Sequence, residues 1–183
     1  EAYWTDKRFS EQVIGSMNQA IDYFVHGPLT PSLSPGERKG EGNSEIHLIG
    51  YSGGGAVAAL IAARRTDVRS LRTVAGNLDP DSLNQYHEVS PMDEDSLDPM
   101  EAAPKIALVP QYHFTGNEDE VVPAFIAEHF VEKTGATSCT HTMKVAGADH
   151  VNGWKENWPR LLALPLDCQS DHRLETTDKN PSP

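Results

Sequence analysis

The stretch Gly50-Tyr51-Ser52-Gly53-Gly54 decides the fold, because of the segments on either side of it. Residues 45–49 (EIHLI) precede it as a short apolar run and predict a buried strand. Residues 54–65 follow it as a run of small apolar residues and predict a helix. A strand that passes directly into a helix makes a sharp, strained turn, and we expect any side chain at position 50 or 54 to collide with neighbouring backbone. Ser52 should then stand above the sheet at the start of the helix.

Strand and helix patterns alternate on both sides of this turn. A first helix is predicted after the cap residue Ser10, and Gly27-Pro28 ends it. Residues 77–105 contain four prolines, which allow only short helical pieces. The remaining predictions are strands at 71–75, 110–115 and 139–145 and helices at 123–133 and 154–164. This alternation predicts the α/β class, with a parallel sheet covered by helices on both faces.

Residues 27–43 (GPLTPSLSPGERKGEGN) differ in composition from the rest of the chain. Three prolines and four glycines in 17 residues argue against helix and strand. The segment resembles the translated products of short palindromic repeats in some bacterial genomes. It is predicted to be a surface insertion, and a PxxP ligand for a partner domain is the alternative. The expected organisation is one domain over residues 1–166, interrupted by 27–43, with a polar, disordered tail over 167–183.

Charge and length limit the classes of partner. The 183 residues carry a formal charge of −12 and no basic run, which argues against nucleic acid and anionic membrane as partners. No stretch approaches the roughly 20 apolar residues that span a bilayer. Cys139 and Cys168 are compatible with one bridge or with two free thiols. Because the chain begins with Glu1, we expect a processed product or a fragment, and the compartment (cytoplasmic or exported) and oligomeric state stay open.

Two loops carry residues that could activate a serine. A serine hydroxyl is a poor nucleophile unless a base removes its proton. His150 follows the strand at 139–145 through Gly147, whereas His113 and His141 lie within strands and are expected to be core or face residues. Asp119 follows the strand at 110–115 and is the preferred acid. Its rivals are Glu118 and Glu120 in the same loop and Asp79 after the second strand, and Asp149 is expected to point to solvent or brace its own loop.

The glycine-flanked Ser52, followed in chain order by Asp119 and His150, resembles the pattern of the α/β-hydrolase family. The resemblance covers about residues 1–166 without the insertion. It is closer to a bacterial branch, on residues 2–6 (AYWTD) and 74–79 (VAGNLD). The resemblance implies the α/β-hydrolase fold with a partial sheet and a nucleophile elbow of Gly50, Tyr51, Ser52, Gly53 and Gly54. It also implies an esterase, lipase or thioesterase in which Ser52 attacks a carbonyl, His150 moves the proton and Asp119 orients the imidazole.

The resemblance implies no metal and no organic cofactor, and it implies a small ester-type molecule as substrate. The chain departs from the family at its start. Family members have several strands before the helix that precedes the serine turn, and this sequence predicts none there. The backbone N–H of Gly53 is therefore the one oxyanion donor that can be named. Two alternatives stay open: a truncated remnant that keeps the triad but works poorly, and a non-enzymatic binding module on the same fold. The segment 77–105 contains eight acidic residues and one lysine, Lys105. This excess of negative charge suggests a site entrance that disfavours anionic substrates, or else a solubilising surface.

Overall fold

The computed structural model describes residues 7–26 and 45–168 and shows a four-stranded parallel sheet with helices between the strands. The strands are β1 (Ile46–Tyr51), β2 (Val68–Val74), β3 (Gln111–Gly116) and β4 (Thr140–Val145), in the spatial order β1-β2-β3-β4. The helices are α1 (Glu11–His26), α2 (Gly53–Ala62), α3 (Pro80–Tyr86), α4 (Pro99–Ala102), α5 (Ala124–Lys133) and α6 (Trp154–Leu162), and a 3₁₀ turn covers Ala103–Ile106. The predicted insertion at 27–43 and the predicted tail at 167–183, except for Asp167 and Cys168, lie outside the described residues.

Side chains of the central strands alternate between two apolar layers, as the period of two in a strand requires. On one face, Leu71 of β2 packs with Ala59 of α2 and Phe130 of α5. On the other face, Phe114 of β3 packs with Leu161 of α6. The predicted parallel sheet with helices on both faces is therefore confirmed.

Helix α1 covers the outer side of α2. Phe9 and Ile14 are buried against Ala56 and Leu60, because α2 presents small side chains that allow a close approach. The predicted cap of α1 is present, since Ser10 Oγ accepts a hydrogen bond from Val13 N–H at 3.4 Å. Within the described residues, β1 forms one edge of the sheet and pairs with β2 alone.

Cys139, just before β4, forms a disulfide with Cys168. Of the two alternatives compatible with the sequence, the structure contains the bridge. It ties the segment after α6 to the start of β4. No helix in the described part of the chain is long and apolar enough to cross a membrane.

Candidate active site

The turn after β1 holds Ser52 in a backbone conformation that side chains rarely adopt. Ser52 has φ 52° and ψ −126° and is the N-cap residue of α2. Three backbone hydrogen bonds maintain this strained geometry. Ser52 N–H donates to Val74 O at 2.9 Å, and Ser52 O accepts from Gly55 N–H at 2.9 Å and from Asn77 N–H at 3.0 Å. The end of β2 and the loop after it therefore hold the backbone of Ser52 in place.

Of the two glycines expected to avoid a collision with neighbouring backbone, Gly50 and Gly54, only Gly50 does so. A Cβ on Gly50 would collide with the Gly54 carbonyl, so this position does require glycine. A Cβ on Gly54 would meet nothing within 4 Å, so the expected collision there is wrong. Position 54 faces open space on the first turn of α2, and the second close approach is made by Gly55, whose Cβ would lie 2.9 Å from Gly76 Cα.

Asp119 is held at the end of β3 by its own loop. Its Oδ1 accepts hydrogen bonds from the N–H groups of Val121 at 2.9 Å and Val122 at 2.8 Å, which leaves Oδ2 free to face the histidine. The side chain is fully buried, whereas the rivals Glu118 and Glu120 are exposed. The structure therefore turns one of the three acidic side chains of this loop inward.

Asp79, the rival acid after β2, has a different partner. It is buried at the N-cap of α3, where it accepts from Ser82 N–H at 3.1 Å and lies 2.9 Å from His129 Nδ1. Burial on its own would raise the pKa of Asp79, but the hydrogen bonds from Ser82 and His129 outweigh it and lower that pKa. Asp79 thus belongs to a second carboxylate–imidazole pair, between α3 and α5.

His150 lies in the loop that follows β4, and its ring joins the other two residues. Nδ1 is 3.0 Å from Asp119 Oδ2, and Nε2 is 3.1 Å from Ser52 Oγ. The imidazole is largely buried, with 14% of its side chain exposed, while Ser52 stays partly accessible. The structure brings the three predicted residues into one hydrogen-bonded line at the carboxyl end of the sheet.

The loop after β4 (residues 146–153), called the base loop after the role expected of His150, is held by hydrogen bonds of its own. Asp149 accepts hydrogen bonds from Val151 N–H at 2.7 Å and from the backbone and side-chain N–H groups of Asn152 at 2.6 and 2.8 Å. The Asn152 side chain, followed by the two backbone N–H groups, lowers the pKa of the Asp149 carboxyl. Of the two expectations for Asp149, the structure supports the one that it braces its own loop.

The base loop is also hydrogen-bonded to the loop after β3 (residues 117–123), called the acid loop after the role expected of Asp119. Glu118 N–H donates to Ala148 O at 3.0 Å, so residues next to Asp119 and His150 in sequence are joined. Gly116 lies against the same carbonyl, and a Cβ there would come within 2.5 Å of it. Gly153 makes its close contact within the base loop, since its φ is 84° and a Cβ would collide with the Gly147 carbonyl. The contact of Gly116 was missed from the sequence, because its neighbour Ala148 lies on another loop.

Gly53 is the first residue of α2, so its N–H has no partner within the helix and lies at the positive end of the helix dipole. This is the position predicted for an oxyanion donor. In the part of the chain that the structure describes, no group of three or more His, Cys, Asp and Glu side chains could hold a metal ion.

Solved structures share this architecture. The α/β-hydrolase GrgF from Penicillium sp. sh18 superposes with a TM-score of 0.59 at 15% identity, over 83% of this chain and 70% of that one. The Pyrococcus furiosus esterase Pf2001 gives a TM-score of 0.61 at 13% identity, over 84% of this chain and 61% of that one. Pyrococcus horikoshii acylaminoacyl peptidase gives 0.61 at 14% identity, over 84% of this chain and 26% of that one.

The chain has the α/β-hydrolase fold. The fold predicted from the sequence is thus confirmed by structural likeness alone, because no family model matches the sequence and no curated protein matches it. The chain spans 61% of the length of the esterase and 26% of that of the peptidase. In this α/β-hydrolase fold, the serine turn, the acid loop and the base loop all follow parallel strands, so they meet at one edge of the sheet.

Proposed function

We propose that the chain is a serine hydrolase that cleaves a carboxylic ester or thioester through an acyl-enzyme. The observation that carries the proposal is the continuous line from Asp119 through His150 to Ser52, with contacts of 3.0 and 3.1 Å. A nucleophile hydrogen-bonded to a base, itself oriented by a buried carboxylate, is the arrangement that activates serine. The structural neighbours include an esterase and an acylaminoacyl peptidase, which supports hydrolysis as the class of reaction.

The reaction follows from the positions of these atoms. Ser52 Oγ attacks the carbonyl carbon while His150 Nε2 accepts the hydroxyl proton, and Asp119 holds the imidazole by its Nδ1–H. The negative charge that develops on the carbonyl oxygen faces Gly53 N–H at the start of α2. The intermediate then collapses, the imidazolium protonates the departing alkoxide or thiolate, and an acyl-Ser52 ester remains. Water, deprotonated by His150, releases the acid and restores the serine.

The negative charge of the chain favours neutral esters over anionic ones. The chain carries a formal charge of −12, and the segment from 77 to 105 contributes eight acidic residues. Three of these eight also accept backbone hydrogen bonds, since Asp79 and Asp98 cap α3 and α4 and Asp93 Oδ1 accepts from Asp95 N–H. The net negative charge of the chain should favour a neutral acetate ester over a succinate half-ester.

The test is hydrolysis of p-nitrophenyl acetate and of a neutral thioester. Ser52→Ala and His150→Gln should each lower kcat by about 10⁶-fold, and Asp119→Asn by about 10⁴-fold, the losses typical of a broken triad. Glu118→Gln is the matched control, because it neutralises an exposed carboxylate one residue from Asp119, and it should stay within about twofold of wild type. Wild-type activity in the Asp119 variant would refute the assigned acid. A folded wild-type protein with no turnover would favour the non-catalytic alternatives.

A further inference from the structure

Tyr51 occupies the variable position of the elbow, yet its side chain reaches the base. Its hydroxyl donates a hydrogen bond to His150 O at 2.6 Å, across 99 positions of sequence. Its ring also packs on the imidazole, with centroids 5.3 Å apart and planes inclined by 37°. One side chain thus contacts both the backbone and the ring of His150.

The same carbonyl has a second donor. Trp154 Nε1 lies 3.3 Å from His150 O and 2.9 Å from Asp149 O, at the start of α6. Trp154 is buried in the core, so it anchors the loop to the body of the fold. Tyr51 directly precedes Ser52 in the chain. Its hydrogen bond to His150 O therefore links the backbone next to Ser52 to the base loop.

We propose that Tyr51 is a positioning residue whose hydroxyl and ring hold His150 in line with Ser52. This inference rests on the proposed function. In support, burial raises the pKa of Tyr51, and the charges of Asp119 and Asp149 raise it further, so the hydroxyl remains a donor throughout the neutral range. A sub-ångström drift of the imidazole would otherwise lengthen the 3.1 Å contact that carries the proton.

The experiment measures the reaction of the protein with an alkyl fluorophosphonate, resolved into the maximal rate kinact and the half-saturating concentration KI. Tyr51→Phe removes the hydroxyl and keeps the ring, and should lower kinact about fivefold, the effect of one lost hydrogen bond. Tyr51→Leu removes both and should lower kinact about 100-fold. KI should be unchanged in both variants, because the residue acts through His150 and not on the probe.

Tyr23→Phe is the matched control, since it makes the same chemical change on an exposed α1 side chain, and its kinact should equal that of wild type. The labelled fraction reports how much protein is folded, whereas kinact is measured on the folded molecules that react, so a destabilised variant still gives an answer. Unchanged kinact in both Tyr51 variants, or an increase of KI alone, would overturn the positioning proposal and leave the proposed function standing. A folded wild-type protein that does not react would overturn both.

Discussion

Gly116 offers a sharp test of how the acid and base loops are fitted together. It ends β3, and an added Cβ would lie 2.5 Å from Ala148 O, 3.0 Å from Ala148 C and 3.1 Å from Asp119 Cβ. Carbon atoms in ordinary packing keep about 3.5 Å from their neighbours, so the two loops must separate by about 1 Å. The Ala148 carbonyl that moves also accepts the Glu118 N–H bond between the loops.

Gly116→Ala should therefore impair both reactivity and stability. A displacement of about 1 Å between Asp119 and His150 should slow fluorophosphonate labelling about 100-fold. Overpacking of this kind typically costs about 1–3 kcal/mol of unfolding free energy, and each kcal/mol lowers Tm by about 2–4 °C in a chain of this size. Labelling kinetics and thermal unfolding on the same preparation measure the two effects.

Gly15→Ala provides the matched control within the same protein. Gly15 lies in the interior of α1, and a Cβ there would meet nothing within 4 Å. The change should stabilise the chain by about 0.5–1 kcal/mol through helix propensity and leave labelling unaltered. A Gly116→Ala protein with wild-type labelling rate and wild-type Tm would refute the reasoning, because the clash would then be relieved without moving either loop.

Two further predictions concern stability. Burial, followed by the effect of His141, lowers the pKa of His113 to about 3, so this histidine stays neutral in the folded chain while the unfolded chain binds its proton below pH 6.5. Unfolding free energy from urea titration should thus fall from pH 7 to pH 5, and His113→Gln should flatten that dependence; an equal slope in both proteins would contradict it. The Cys139–Cys168 bridge closes a separation of 29 residues, so reduction or Cys168→Ser should cost about 3–4 kcal/mol. Two titratable thiols in the unreduced folded protein would refute the bridge.

The alternation of elements was predictable from the sequence, because apolar runs bounded by glycine and proline mark the segments that form them. The predicted burial of the strand at 45–49 is wrong, because β1 is an edge strand within the described residues and Ile49 is 50% exposed. All four strands and the longer helices lie where they were expected, with differences at their ends. Strand β2 begins at Val68 and not at residue 71, because its first residues pair with β1 from Ile46 onward. Helix α2 ends at Ala62 and not at 65, because Arg64 and Arg65 N–H donate to residues three positions back and form tighter turns.

The three candidate catalytic residues were also predictable, because each follows a strand and parallel strands bring their carboxyl ends together. The contacts of these residues with their surroundings were not predictable. The reach of Tyr51 to His150 and the contact of Gly116 with Ala148 depend on how separate loops meet in space. For the same reason the collision expected at Gly54 was assigned to the wrong glycine, since the neighbour of Gly55 is Gly76, in the loop after β2.

The central claim, that Ser52 is the nucleophile, is tested most directly by intact-mass and peptide mass spectrometry after treatment with a fluorophosphonate. We predict one adduct per chain, located on Ser52, in the wild-type protein, much slower labelling in His150→Gln and no adduct in Ser52→Ala. An adduct that persists in Ser52→Ala, or that maps to another residue, would contradict the account.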